Sequence, residues 1–319
     1  LHFIGEKVIK SSKIAIPILL AIVWGSGIGG FGSPLGGSAN LVAISYLENI
    51  CGHEFMYIDW VSRFLPFLIL TMLLNLVILL SIKLPVTKLA NTKSYFNDMY
   101  KQLGPMSKGE KIGLGLFIIS TVLAFARPLF ADILPALRPA YIFFICGLLT
   151  FMFRDDEGKV LLTWKQAEKE LMWGMFFLFA GGLALGKLVT GTGAATKLAE
   201  VITIMPLTGG IETIFAFTAF STILTEVSSN TAAASIAIPI IQSIAEALGL
   251  NVIPYILVTI VAVNCAYILP VSTRAIPIGY GLEPSELFKH GVMLSILNVL
   301  LTTVIGYIFI NYWPSFGQI

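Results

Sequence analysis

Long apolar runs alternate with short polar islands along this chain, and the runs are too continuous for the interior of a soluble domain. Stretches 64–84, 112–131, 171–189, 255–270 and 292–312 approach or reach the ~20 residues that cross a bilayer as helix. None shows the two-residue alternation, in segments of about ten, that marks an outer-membrane barrel, so the pattern predicts an all-α integral membrane protein. In order, it predicts a helix at 13–29, interrupted by the Gly-rich stretch 29–37 and resumed at 38–49, then spans at 60–84, 111–131, 138–153 and 171–190. Two shorter helices follow at 211–224 and 231–247, joined as a hairpin over 211–247. A helix at 252–269 breaks at Pro270 and resumes toward Gly281, and the last span is 286–312. Ala194–Thr203, with Lys197 and Glu200, is amphipathic and fits either an interfacial helix or a plain loop helix.

Composition agrees: 56% of the 319 residues are hydrophobic and 12% charged, against roughly 25% charged in soluble domains. A net charge of +2, with no Lys/Arg tract interleaved with aromatics, excludes a nucleic-acid partner. Cys51, Cys146 and Cys265 form no CxxC, and His2, His53 and His290 are scattered without an HExxH. The connection 83–111 carries Lys83, Lys88, Lys93, Lys101, Lys108 and Lys111, and 154–170 carries Arg154, Lys159, Lys165 and Lys169, so both are predicted cytoplasmic. The reading is a multi-pass protein of the plasma (inner) membrane, with Lys7, Lys10 and Lys13 inside and the tail Asn311–Ile319 outside. The alternation closes only if 211–247 enters and leaves on the outer side, as a re-entrant hairpin with its tip at Ser229–Asn230.

Three polar islands stand out: GGFGSPLGGSAN (29–40), TEVSSNT (225–231) and LPVSTRAIP (269–277). In lipid, irregular backbone survives only where it is buried in protein or lines a wet cavity, so each island is expected to face the interior. Segments 13–50 and 252–283 both run apolar helix, break, short helix, and paired interrupted segments point to a transporter binding site. The domain reading is therefore a remnant of a first repeat over 1–110 and a second repeat over 111–319. Broken helices offer N–H groups to an anion and carbonyls to a cation. Hydroxyl and amide side chains serve either ligand. Thr225 and Ser228 fall at the end of the first hairpin helix as oxygen donors, with Asn230 and Thr231 at the start of the second as caps or anion donors. The structural alternative is that Ser229, Asn230 and Thr231 only cap that helix. Arg274, an intramembrane charge, has three readings: it binds a substrate carboxylate, stands where a coupling cation would sit, or bridges to Glu226.

On these residues the chain resembles the divalent anion–sodium symporter family of di- and tricarboxylate transporters. TEVSSNTAAASIAIPI (225–240) is similar to that family's second Ser-Asn-Thr hairpin signature, 173–193 to its Gly-rich helix, 265–281 to its late broken helix, and 28–42 to the matching early break. The resemblance implies an inverted-repeat homodimer working by an elevator motion, with a small carboxylate bound between two hairpin tips and Na⁺ at each tip. Carried over, Asn230, Thr231 and Thr273 touch substrate, with Asn40 and Arg274 as further candidates. Thr225, Ser228, Asn230 and Ser272 surround one Na⁺ site, and Gly29 to Gly32, with Asn40, belong to the other. Two departures stand against the pattern. The first Ser-Asn-Thr hairpin is absent, as though a part of a longer protein preceding Leu1 were missing. Thr273–Arg274–Ala275 also replaces a Thr-Pro-Pro-Asn run, and a fixed charge ~5 Å from Na⁺ opposes the ion by about 3 kcal/mol at an effective dielectric near 20.

The function expected is secondary transport of C4/C5 dicarboxylates of the succinate, malate and 2-oxoglutarate class, by Na⁺ symport or by exchange, with no cofactor beyond Na⁺. A channel or non-transporting membrane subunit is the alternative. The apolar spans offer no nucleophile–base pair or paired acids, so an enzyme is not expected.

Overall fold

The computed structural model describes residues 14–82, 92–171 and 207–318, with isolated positions between 180 and 192. The span expected at 171–190, the piece 194–203 and the N-terminal lysines fall largely or wholly outside these. Regular structure among the described residues is helical, apart from an isolated bridge between Arg154 and Val160. In chain order the helices are α1 (Ala15–Gly30), α2 (Ser38–Cys51), α3 (Tyr57–Ser81), α4 (Thr92–Leu103), α5 (Lys108–Phe125), α6 (Arg127–Phe130) and α7 (Pro139–Leu149). They continue as α8 (Trp164–Glu170), α9 (Ile211–Val227), α10 (Asn230–Ala247), α11 (Val252–Asn264), α12 (Ala275–Gly279) and α13 (Pro284–Tyr312). The chain falls into two compact units. Among the described residues one takes in 14–55, 59–82 and 207–318, and the other 56–58 and 92–171.

The first unit carries all three polar islands. α9 and α10 form a helical hairpin linked by two residues, and both pack on α11, while α10 also packs on α2 and α9 on α13. Close approach is favoured in the first half of α10, where small residues, Ala233, Ala234, Ser235 and Ala237, are buried. Trp24, Phe31, Phe64, Phe67, Ile256 and Val261 fill the surrounding core. α3 and α13, at 25 and 29 residues, are long and apolar enough to cross a membrane. Each exposes an aliphatic strip at helical spacing: Ile69, Leu73, Val77 and Leu80 on α3, and Ile296, Leu300, Val304 and Ile308 on α13.

Several boundaries differ from those expected. The hairpin helices, 17 and 18 residues long, run to Val227 and start at Asn230, so the link is Ser228–Ser229. The helix expected to reach residue 269 ends at Asn264. Two contacts favour that early stop: Val263 O accepts the Thr225 hydroxyl at 2.6 Å, and the Glu226 carboxylate draws the N–H groups of Tyr267, Ile268 and Leu269 out of helical pairing. α7 stops at Leu149 rather than 153, because Phe153 turns back to accept from Leu161 N. α13 opens at Pro284, where the missing N–H is an orphan of the first turn in any case.

The second unit is held by local polar devices. Ser107 and Glu110 form a capping box on α5, and the hydrogen bonds from Ser107 hold the Glu110 carboxyl below its ordinary range. Thr163 and Gln166 repeat the device on α8. Buried Arg127 donates to Leu134 O and Pro135 O, closing the connection after α6.

Candidate functional site

The first break spans residues 31–37, between α1 and α2. Where it turns inward its backbone polar groups need partners. Trp60 Nε1 donates to Phe31 O at 2.8 Å. The Asn40 amide, with its residue wholly buried, donates to Gly30 O at 2.8 Å and Ser33 O at 2.9 Å. Asn40 thus caps the carbonyl end of α1 with a neutral group. Gly36 is required by contact: a Cβ there would lie 2.2 Å from Gly30 O.

The second break spans residues 265–271, between α11 and the 3₁₀ turn Ser272–Arg274. Three consecutive amides of it are satisfied by Glu226, whose carboxylate accepts from Tyr267 N at 2.7 Å, Ile268 N at 3.0 Å and Leu269 N at 3.2 Å. Its carbonyls are met from elsewhere: Trp24 Nε1 reaches Tyr267 O at 3.3 Å, and Arg274 Nε reaches Leu269 O at 2.7 Å. Arg274 Nη2 also donates to Thr225 O at 3.1 Å and Glu226 O at 3.3 Å, at the C-terminal end of α9. Arg274 thus lies at the carbonyl end of α9. The guanidinium reaches the main-chain oxygen of Glu226, not its carboxylate. Ser272 has φ +58°, among the described residues the one non-glycine in the left-handed region.

The two breaks meet. Asn264 Nδ2 donates to Asn40 Oδ1 at 3.0 Å across the core, and the hydroxyls of Ser38 and Thr231 are hydrogen-bonded to each other. Between them lies a cavity of ≈ 190 Å³, lined by Ser26, Gly27 and Gly30 of α1, residues 36–39, Ser229, Asn230 and Thr231 of the hairpin tip, Asn264, Ser272 and Thr273. No lining residue is charged. The first turns of α2 and α10 both form part of the wall, and the leading N–H groups of a helix have no intrahelical partner. Each helix start also carries the positive end of a dipole worth roughly half a charge, so the cavity suits a small anion with a negative group toward each.

Asn230, Thr231, Ser272 and Thr273 are on the wall of this cavity. Asn40 stands behind it, bonded to the lining residue Asn264. Thr225, Ser228, Gly29, Gly32 and Arg274 are off the wall. The Thr225 hydroxyl is engaged by Val263 O and by Asn230 Oδ1 at 3.0 Å, Ser228 Oγ donates to Leu224 O at 2.6 Å, and Gly29 O accepts from Gly32 N. Capping of α10 falls to Ser229, whose hydroxyl accepts from Ala232 N at 3.2 Å. Asn230 and Thr231 line the cavity while each is also tied to a neighbour, Asn230 Oδ1 to the Thr225 hydroxyl and the Thr231 hydroxyl to Ser38. Ser38 and Asn264 were missed. Asn264 is the lone amide in α11, immediately before the break, and Ser38 is the first polar residue after a Gly-Gly pair; both were readable signals.

The sodium:sulfate symporter transmembrane region family matches residues 4–318. The chain belongs to that family. Its members are multi-pass membrane transporters, and it is the divalent anion–sodium symporter grouping that the polar islands resemble. The symporter-family relatives include a sodium-dependent dicarboxylate transporter of Staphylococcus saprophyticus, 25% identical over 307 residues, covering 93% of this chain and 59% of the relative. The corresponding Staphylococcus aureus protein is 26% identical over 92% of this chain and 59% of its own length. An uncharacterized transporter of Haemophilus influenzae is 31% identical over 94% of this chain and 64% of its own. The chain thus spans about three fifths of the length of these relatives.

Proposed function

We propose that the chain forms the substrate-holding part of a secondary transporter for C4/C5 dicarboxylates, of the succinate, malate and 2-oxoglutarate class, moved by an elevator-type alternation. One observation carries the reading: the starts of α2 and α10, tied by the Ser38–Thr231 hydroxyl pair, form part of the wall of one uncharged cavity. A carboxylate at each helix start finds N–H groups and a positive dipole end, with Asn230, Thr231 and Thr273 supplying side-chain donors. The names of the staphylococcal relatives, sodium-dependent dicarboxylate transporters, support the substrate class. Na⁺ is the coupling cargo on this reading, since a dianion entering a cavity without charged side chains needs mobile cations to balance it. The transporter is read as a homodimer in the plasma membrane, with α9–α10 as a re-entrant hairpin and the C-terminus outside.

Na⁺-independent exchange is a second reading, and it rests on Arg274, which already holds a positive charge at the carbonyl end of α9. The test uses the full-length protein in liposomes, measuring labelled succinate uptake with and without an inward Na⁺ gradient. Saturable uptake driven by Na⁺ is expected. Flux that ignores Na⁺ but requires internal dicarboxylate selects exchange. Uptake that rises linearly without saturation would sink both and leave a channel.

A further inference from the structure

We infer that Arg274 is the resident cation of the hairpin half of the site: its guanidinium occupies the carbonyl end of α9 in place of an exchangeable alkali cation, so that this half runs through transport without binding one. The inference deepens the transport proposal and rests on it for the meaning of the site. A helix that halts in hydrocarbon presents its last carbonyls as a cluster of oxygens with a net negative dipole, which a bare cation or a cationic side chain can satisfy. At α9 the satisfying group is Arg274, held by three main-chain oxygens, those of Leu269, Thr225 and Glu226. It is buried at 4% exposure, so its charge needs a counter-charge inside the protein. Glu226 is that counter-charge. Its carboxylate, also buried, sits on three consecutive amides of the same break. The two residues therefore form a reciprocal clasp, with each side chain on the main chain that carries or neighbours the other, and the pair is neutral without any ion from solution.

The first half of the site is built differently. There the last carbonyl of α1, Gly30 O, and that of Ser33 in the break beyond it are met by the amide of Asn40, which brings hydrogen bonds but no charge. A neutral cap leaves the negative dipole end uncompensated, whereas a guanidinium cancels it. An ion-coupled cycle in this chain then has one half-site open to an alkali cation and one closed by its own arginine.

The experiment measures sodium binding on full-length protein in detergent, without substrate, as the rise in melting temperature when NaCl replaces choline chloride. Wild type, Arg274→Lys, Arg274→Gln and Arg274→Ala are compared after gel filtration confirms that each is monodisperse. Arg274→Gln reproduces at α9 the neutral amide cap that Asn40 provides at α1, so it is the variant that tolerates the loss of charge best. Arg274→Gln and Arg274→Ala are expected to gain a sodium-dependent stabilisation larger and steeper in Na⁺ than wild type, while Arg274→Lys responds as wild type does. A sodium response in Arg274→Gln equal to that of wild type would overturn the inference. Because no substrate is present, a protein that carries no dicarboxylate refutes the transport proposal while leaving this readout to score the resident cation by itself.

Discussion

Asn230 and Thr231 stand where the hairpin tip meets the cavity, and neither is needed to cap α10, since Ser229 does that. Removing either side chain is therefore expected to cost substrate contacts together with one internal hydrogen bond, from Thr225 to Asn230 or between Ser38 and Thr231. A hydrogen bond to a charged group is worth ~2 kcal/mol, so Asn230→Ala and Thr231→Ala are each expected to weaken dicarboxylate uptake by about tenfold or more, with a loss of stability of only about 1 kcal/mol from the internal hydrogen bond removed. Uptake at wild-type affinity in both variants refutes their assignment. Asn40 is expected to behave in the opposite way. Its amide joins Gly30 O, Ser33 O and Asn264 while it lies fully buried. Asn40→Ala strands these partners and is expected to destabilise by on the order of 3 kcal/mol, read as a lower melting temperature. Ser272 tests conformation: a left-handed φ costs an L residue about 1–2 kcal/mol. Ser272→Gly is thus expected to be more stable than Ser272→Ala, although both lack the hydroxyl.

At the scale of elements, the two breaks hold their shape through close backbone approach. A Cβ on Gly291 of α13 would lie 2.2 Å from Tyr267 O in the second break, the same clearance that Gly36 has to Gly30 O in the first. Gly36→Ala and Gly291→Ala are each expected to lower both stability and uptake, because backbone rather than a flexible side chain blocks the added methyl. A melting temperature unchanged in both would show that the breaks yield more than this packing allows. The breaks themselves were legible: GGFGSPLGG and LPVSTRAIP put Gly, Pro and hydroxyl residues inside apolar runs, where nothing else explains them. The end of α11 was not. Its sequence stays apolar to Leu269, and the stop at Asn264 comes from Thr225 and Glu226, about forty residues earlier in the chain, which take up the carbonyl of Val263 and the amides after it. The role of Arg274 was open for the same reason. Its composition-level oddity was plain, but which oxygens it meets depends on how α9 lies against the break.

For the whole molecule, charge along the chain makes a statement about sidedness that the folded contacts do not address. The connections 83–111 and 154–170 carry the concentrated lysines and arginines, while Asn311–Ile319 carries none. By the positive-inside bias the first two are expected in the cytoplasm and the tail outside. Cysteine labelling in intact cells tests this directly, in a full-length background with Cys51, Cys146 and Cys265 replaced. Glu157 is a suitable probe of the 154–170 connection, since its side chain is 70% exposed at the turn after α7. Glu157→Cys is expected to react with an impermeant maleimide only after permeabilisation, and Gln318→Cys to react from outside without it. Both ends labelling from the same side would break the alternation on which the re-entrant hairpin depends. The segment 211–247 would then have to cross the membrane an odd number of times, and the Ser228–Ser229 link could no longer be a tip that returns to the side it came from.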